Sequence, residues 1–356
     1  MVITTDVGFN GITSVVMNYY RNINRDKIQF DFAIAEKIHN TIENEINNLG
    51  GRVFKLPSRK KNTLKYVKAL KRIVKEKEYE IVHVHGNSGT LYLDIHALKK
   101  AGVSVRIAHS HNSTCNHKII HKLFKRKLNS EMTVGIACSK LAGDWLFNSD
   151  YTIINNGIDI DKFIFRQNIR GKYRKEMGLE DNFVIGHIGH FSYQKNHEYL
   201  INIFKKIHDK DKKAILMLIG DGKLRSEIEE QINKLGLKDA VLILGKRQDV
   251  AELMQAMDVF ILPSRFEGLP VVLVEAQANG LKCITSDVVT KEAKITGKLK
   301  YISLSENVEY WANKVMECKK QYIRDDVKDI FYRSEYNIEN EVRKLEDLYI
   351  DSIHQD

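Results

Sequence analysis

A chain of 356 residues is longer than one ordinary hydrophobic core supports, so two domains are expected. Hydrophobic residues at 43% and charged residues at 29% fit a soluble globular protein, and no apolar run is long enough to span a membrane. Cys115, Cys138, Cys283 and Cys318 are scattered with no C-x-x-C pair, which argues for free thiols in a reducing cytoplasm and against disulfides or a zinc knuckle. The formal charge of +10 speaks of partners and not of fold, and leaves nucleic acid, anionic lipid and phosphorylated substrates all open.

Residues 1–5 predict a very short first strand, with no signal peptide ahead of it. The loop 6–11 follows and leads into a helix from Ile12 to Asn22. Gly8 and Gly11 suit either a loop in which backbone approaches a ligand or a simple flexible turn. Strands at 30–35 and 52–56 flank a helix near 41–49, and a long basic helix runs over 63–77. Strands at 80–85 and 103–108 come next. Strands alternating with helices of this length predict a parallel, doubly wound sheet, which binds ligands at the carboxyl ends of its strands. His83, His85, His109 and His111 all fall at or near such ends, yet no carboxylate or cysteine completes a metal-ligand set beside them.

Residues 116–129 carry Ile119, Ile120, Leu123, Phe124 and Leu128 at helical spacing, with Lys118, Lys122, Lys125, Arg126 and Lys127 mostly between them. A basic amphipathic helix over 117–128 fits an anionic membrane interface, and equally an ordinary helix packed by its apolar side. A strand at 133–139 ends on Ser139 as the N-cap of a helix over 140–147, and residues 152–159 close the first half. Residues 160 to about 180 are charged and lack apolar periodicity, so the linker is placed there.

The second half opens with a strand within 183–190, a loop over 191–196 and a helix to His208. Lys195 falls at the start of that helix, where its ammonium and the positive helix end can share a diphosphate. Strands at 214–219 and 241–244 follow, and Asp249 reads as the N-cap of a helix over 250–257. Val259–Leu262 reads as a buried strand, then a polar loop reaches Pro270 at a helix start and the helix ends at Asn279-Gly280. This order leaves Glu267 in the loop, Glu275 in the helix, and free amides at the helix start beside Gly268. Amides for phosphate and two acids for sugar hydroxyls suit a nucleotide-sugar. A plainer account fits as well, with Glu267 capping the helix and Glu275 solvated. A late strand at 282–285 and amphipathic helices over 308–320 and 337–351 complete the chain.

Glu267 and Glu275, with Gly268-Leu269-Pro270 between them and Pro263-Ser264-Arg265-Phe266 before, resemble the E-x7-E signature of the retaining family-4 glycosyltransferases of bacterial capsule and exopolysaccharide synthesis. The resemblance runs over nearly the whole chain. It implies an α/β protein of GT-B architecture, two facing Rossmann-like domains with parallel sheets and the donor in the cleft between them. The domains implied are 1–165 on the acceptor side and 166–335 for the nucleotide-sugar, with a last helix in 336–356 packing back on the first. Family members usually start their first strand a few residues earlier, so either a truncated N-terminus or a misassigned start codon is implied.

The resemblance also assigns site residues. Glu275 would take the ribose hydroxyls and Glu267 the sugar hydroxyls, with the amides of Gly268 and Leu269 nearby. Lys195 would neutralise the leaving diphosphate, and His111 would face the donor sugar. Gly8 and Gly11 would form a wall of the active cleft, and Lys246-Arg247 would lie near the base. His190 stands where the family carries an arginine, a departure that puts turnover in doubt. The reaction implied is a retaining hexose transfer from a nucleotide-sugar, most naturally UDP-linked, to a glycan or polyprenyl-linked acceptor. It needs no metal, no separate cofactor and no nucleic-acid partner, and places the protein in the cytoplasm at the inner membrane face. A nucleotide-sugar epimerase of the same fold, or a non-catalytic binding subunit, is the alternative.

Overall fold

The computed structural model describes every residue except 5–6, 9–10, 116, 321–323 and 355–356. The chain forms two compact units, Met1–Gly157 with Ile338–Asp356, and Ile158–Asn337. The domain boundaries thus fall at 157/158 and 337/338, and the last helix, Ile338–Ile353, belongs to the first unit. Within that unit its residue Glu341 accepts from the Asn155 amide at 2.6 Å, and Asn155 in turn accepts from Tyr19 Oη at 2.5 Å.

The first unit holds seven strands: β1 (Val2–Thr4), β2 (Phe32–Ile34), β3 (Val53–Lys55), β4 (Ile81–Gly86), β5 (Val105–Ser110), β6 (Val134–Ala137) and β7 (Thr152–Ile153). They pair in the order β3-β2-β1-β4-β5-β6-β7, every pair parallel. The strands read as apolar runs because both faces are covered by helices, as a parallel sheet requires. The strand order reverses between β1 and β4, the place where such sheets open a ligand crevice. A helix not expected from the sequence, Tyr92–Ala101, connects β4 to β5 and ends on Gly102 with φ 86°, a left-handed stop that suits glycine.

The second unit has six strands: β8 (Phe183–Ile188), β9 (Ala214–Ile219), β10 (Val241–Ile243), β11 (Val259–Leu262), β12 (Lys282–Ser286) and β13 (Leu299–Ile302). Their order is β10-β9-β8-β11-β12-β13, again all parallel, so the reversal lies between β8 and β11. Val259 and Ile261 face one core while Phe260 and Leu262 face the other, so β11 is buried on both sides. β13 was not anticipated, because only Leu299 and Ile302 of its four residues are buried.

Two expectations are corrected. Residues 160 to about 180 are no linker: they form helices Ile160–Phe163 and Gln167–Glu176, packed inside the second unit. Their charge misled because Arg170 and Arg174 are buried, both paired to Asp258 at 2.6 and 3.2 Å. Their remaining donors go to backbone carbonyls, including those of Gln255, Ala256 and Met257. The basic helix spans Lys118–Glu131, and Asn116 lies outside the described residues. It packs through His121, half-buried Phe124 and Leu128, while Ile119, Ile120 and Leu123 point outward at 85, 43 and 65% exposure. The apolar stripe therefore divides: Phe124 and Leu128 pack, while Ile119, Ile120 and Leu123 do not.

Candidate active site

The site of the second unit is built where β8 and β11 run side by side. After β8 the chain turns past Gly189, whose amide donates to the Ile219 carbonyl at 2.9 Å. Gly220 lies against this turn with φ 138°, and a Cβ there would stand 2.0 Å from the Gly189 carbonyl oxygen, so a side chain is excluded. A single 3₁₀ turn, Tyr193–Lys195, then meets Asn196 in the left-handed region, φ 58°, ahead of the helix His197–Lys210. The Asn196 side-chain amide donates to the Pro263 carbonyl at 3.1 Å, and the Arg265 amide to the Gln194 carbonyl at 2.8 Å. These two bonds hold the loop after β8 against the loop after β11.

That stitching brings Lys195 to Glu267. Lys195 Nζ donates to Glu267 Oε1 at 2.6 Å, Ser264 Oγ donates to the same oxygen at 2.7 Å, and Gln194 Nε2 donates to Oε2 at 2.9 Å. The side chains of Lys195 and Glu267 are 15 and 6% exposed, so the pair works in a shielded medium where charge-assisted bonds are strong. Glu267 is thus held by side chains and is no helix cap. Ser264 and Gln194 were not among the expected site residues; both are polar loop residues next to expected ones, the one signal that could have found them.

The helix Val271–Ala278 begins after Pro270, which occupies its N-cap. Gly268 is half-buried and Leu269 buried just before it. Glu275 sits in the second turn, half-buried rather than solvated, and its carboxylate has no hydrogen bond or ion pair among the described residues. Burial pushes this carboxyl from 4.5 up to about 7. The two glutamates of the signature therefore differ: one takes three side-chain donors, the other none among the described residues.

The remaining expected residues of this unit lie as follows. His190 is exposed just past the end of β8 and makes no hydrogen bond among the described residues. Arg247 is forked onto Asp249 at 2.7 and 2.6 Å, and Tyr173 Oη reaches the same carboxylate at 3.2 Å. Asp249 precedes the helix Val250–Ala256 without a side-chain cap bond, so its work is to hold Arg247 and not to cap. Beneath the site, His187 Nδ1 meets the Ile261 carbonyl at 2.9 Å, while His187 Nε2 and both ring nitrogens of His197 lack partners among the described residues, and burial pushes the two rings down to about 4 and about 2.

In the first unit, Gly8 donates to Thr13 Oγ1 at 3.2 Å and Gly11 opens the helix Gly11–Asn22. Thr5, Asp6, Phe9 and Asn10 lie outside the described residues. Neither glycine has positive φ, and an added Cβ would meet nothing within 4 Å at either, so the packing of the described residues does not require glycine there. His111 follows β5, with Nε2 2.8 Å from His85 Nδ1, and burial pushes it down to about 4.

Two doubly wound parallel sheets, one carrying at its switch point a lysine–glutamate pair and a glutamate without a partner among the described residues, make the architecture of the GT-B fold. Residues 9–162 match the profile of Glycosyltransferase Family 4, and residues 169–332 match that of Glycosyl transferases group 1. EpsF of Bacillus subtilis, which carries a provisional glycosyltransferase name, is 33% identical over 350 residues, spanning 92% of this chain and 91% of the relative. The chain belongs to the family-4 glycosyltransferases. The Escherichia coli UDP-Gal:alpha-D-GlcNAc-diphosphoundecaprenol alpha-1,3-galactosyltransferase is 27% identical over 322 residues, 82% of this chain and 80% of that protein. Among solved structures, Anabaena HepE in complex with UDP-glucose superposes with TM-score 0.82 at 18% identity, covering 98% of both chains.

Proposed function

We propose that the protein transfers a hexose from a UDP-linked donor to a hydroxyl of a polyprenyl-linked glycan, with retention, in the synthesis of a surface polysaccharide. The observation that carries this reading is the division of labour between Glu267, joined to Lys195 at 2.6 Å, and Glu275, which has no protein partner among the described residues. Glu275 takes the ribose hydroxyls, as acids do in dinucleotide folds. Lys195, next to the amides that open the helix His197–Lys210, meets the charge that grows on the departing diphosphate. Arriving phosphate oxygens compete with Glu267 for Lys195, which frees part of the carboxylate for the sugar hydroxyls. In this reading departure and attack share one face of the sugar, and the leaving phosphate takes the acceptor proton.

The choice of UDP and of a lipid-linked acceptor is supported by the substrates for which the E. coli relative is named and by the ligand of HepE. Docking on an anionic membrane is supported by the outward Ile119, Ile120 and Leu123 with five cations around them. No helix among the described residues is long and apolar enough to cross a membrane, so this docking would be peripheral.

The test is incubation with a panel of UDP-sugars and a synthetic polyprenyl-diphosphate glycan, with the product linkage read by NMR. A product retaining the donor's anomeric configuration is expected. An inverted product overturns the retaining mechanism. Release of free nucleotide at the same rate without acceptor favours an epimerase, and an untouched donor with tight nucleotide binding favours a non-catalytic subunit.

A further inference from the structure

Four histidines form a compact array inside the first unit. His83 and His85 lie two apart on β4, His109 and His111 two apart at the end of β5, and the parallel register pairs His85 with His109. Residues two apart share a strand face, so all four rings leave the same side. Across the strands they meet on diagonals: His83 Nε2 is 3.1 Å from His109 Nδ1, and His85 Nδ1 is 2.8 Å from His111 Nε2. Along each strand the rings stack with centroids 4.1 Å apart. His83, His85 and His109 are 2, 8 and 2% exposed, and His109 Nε2 has no hydrogen-bond partner among the described residues.

One ring nitrogen from each of His83, His85 and His109 lies within 4.8 Å of the other two. We propose that these three histidines bind a transition-metal dication, with zinc as the natural occupant. The expectation from sequence ran against a ligand set here because it sought a carboxylate or cysteine nearby; the register of β4 and β5 supplies three imidazoles instead. Neutral imidazoles select zinc, copper or nickel over magnesium, calcium or manganese, which take oxygen ligands. Two nitrogens of a tetrahedral centre with 2.0–2.1 Å bonds stand about 3.3 Å apart, and His83 Nε2 and His109 Nδ1 already stand close to that.

The outer contacts fit the same role. His83 Nδ1 is 2.6 Å from Tyr349 Oη, and His85 Nδ1 is engaged by His111, so both rings have the second-atom support that metal-bound histidines require. This leaves His83 Nε2 and His85 Nε2 as ligand atoms beside His109 Nδ1, with water in the fourth position. With His109 protonated on Nε2, the proton in the 3.1 Å contact sits on His83 Nε2, and coordination requires it to shift to His83 Nδ1, where Tyr349 Oη accepts it, so no proton is released. Through Tyr349 the ion would tie the helix Ile338–Ile353 to β4 and β5, all within one unit. The inference stands apart from sugar transfer, which needs no metal in the reading above.

The experiment uses tag-free full-length protein titrated with cobalt(II), whose tetrahedral complexes absorb strongly in the visible. One equivalent with a tetrahedral spectrum, displaced by zinc and lost in His85→Ala at unchanged circular dichroism, is expected. Absence of saturable cobalt binding, or an unchanged spectrum in His85→Ala, overturns the proposal. Should that variant fail to fold, wild-type crystals soaked in zinc decide: an anomalous peak among His83, His85 and His109 supports the site, and its absence there rejects it.

Discussion

Lys195 Nζ and Glu267 Oε1 stand 2.6 Å apart, and Ser264 and Gln194 donate to the same carboxylate. Cation and carboxylate are each other's main counter-charge, so neither can be removed without leaving the other buried. Lys195→Ala is expected to lower turnover by about 10²-fold or more, the usual cost of deleting a donor to developing negative charge. The same change should cost stability, by about 3 kcal/mol, because Glu267 is left without its cation. Near-wild-type turnover with an identified donor would remove Lys195 from the mechanism.

With Glu275 on the ribose as proposed, donor binding is expected to depend on pH. Its carboxyl is pushed up from 4.5 to about 7, and only the ionised form accepts both ribose hydroxyls. Donor affinity should therefore weaken as pH falls below about 7, approaching tenfold per unit, while Glu275→Gln binds weakly with a flat profile. Stability runs the opposite way. The folded state holds this proton more tightly than the unfolded chain, so the stability it confers is present below pH 4.5 and lost as pH rises towards 7. Glu275→Gln should then exceed wild type in stability at pH 8 by about 1 kcal/mol, discounted for the half-buried setting, and by less at pH 5. Calorimetric titration with nucleotide and thermal melts at both pH values check the two halves.

The outward apolar residues of the helix Lys118–Glu131 give a membrane test that leaves folding alone. Ile119→Ser with Leu123→Ser changes side chains that are 85 and 65% exposed, so melting should barely move. Sedimentation with anionic vesicles should fall sharply. Lys118→Glu with Lys122→Glu should weaken it too, at about 1 kcal/mol per charge near such a surface, and the loss should shrink at high salt. Binding that survives both pairs of changes would remove this helix from the membrane face.

Asp258 anchors the start of the second unit. It pairs with Arg170 and Arg174 and accepts the Val184 amide at 2.7 Å. Asp258→Ala would bury two guanidinium groups without their carboxylate and should cost about 3–5 kcal/mol. Urea unfolding of the full chain measures it. A loss under 1 kcal/mol would mean that the carbonyls of Gln255, Ala256 and Met257 suffice to hold the two arginines.

The sequence by itself determined the alternation of strands and helices, since periodic burial is written into each segment. The run Val259–Leu262 and the break at Asn279-Gly280 bracket the signature helix almost as observed, because a two-sided strand and a left-handed glycine leave local marks. It also determined which family the chain joins, through Glu267, Gly268, Leu269, Pro270 and Glu275. Tertiary structure alone decided what these residues touch. Glu267 and Glu275 are alike in sequence, yet one takes three side-chain donors and the other none among the described residues, because the partners come from segments up to 73 residues away. Charge was the least legible property. Arg170 and Arg174 read as a solvated linker until Asp258, more than 80 positions on, gave them a buried counter-charge. The sequence grouped the four histidines at strand ends, and only the register of β4 and β5 set them 3.1 and 2.8 Å apart. Hydrophobic periodicity repeats within one element and is readable there; hydrogen bonds and ion pairs depend on which strands become neighbours, and that is settled only when the chain folds.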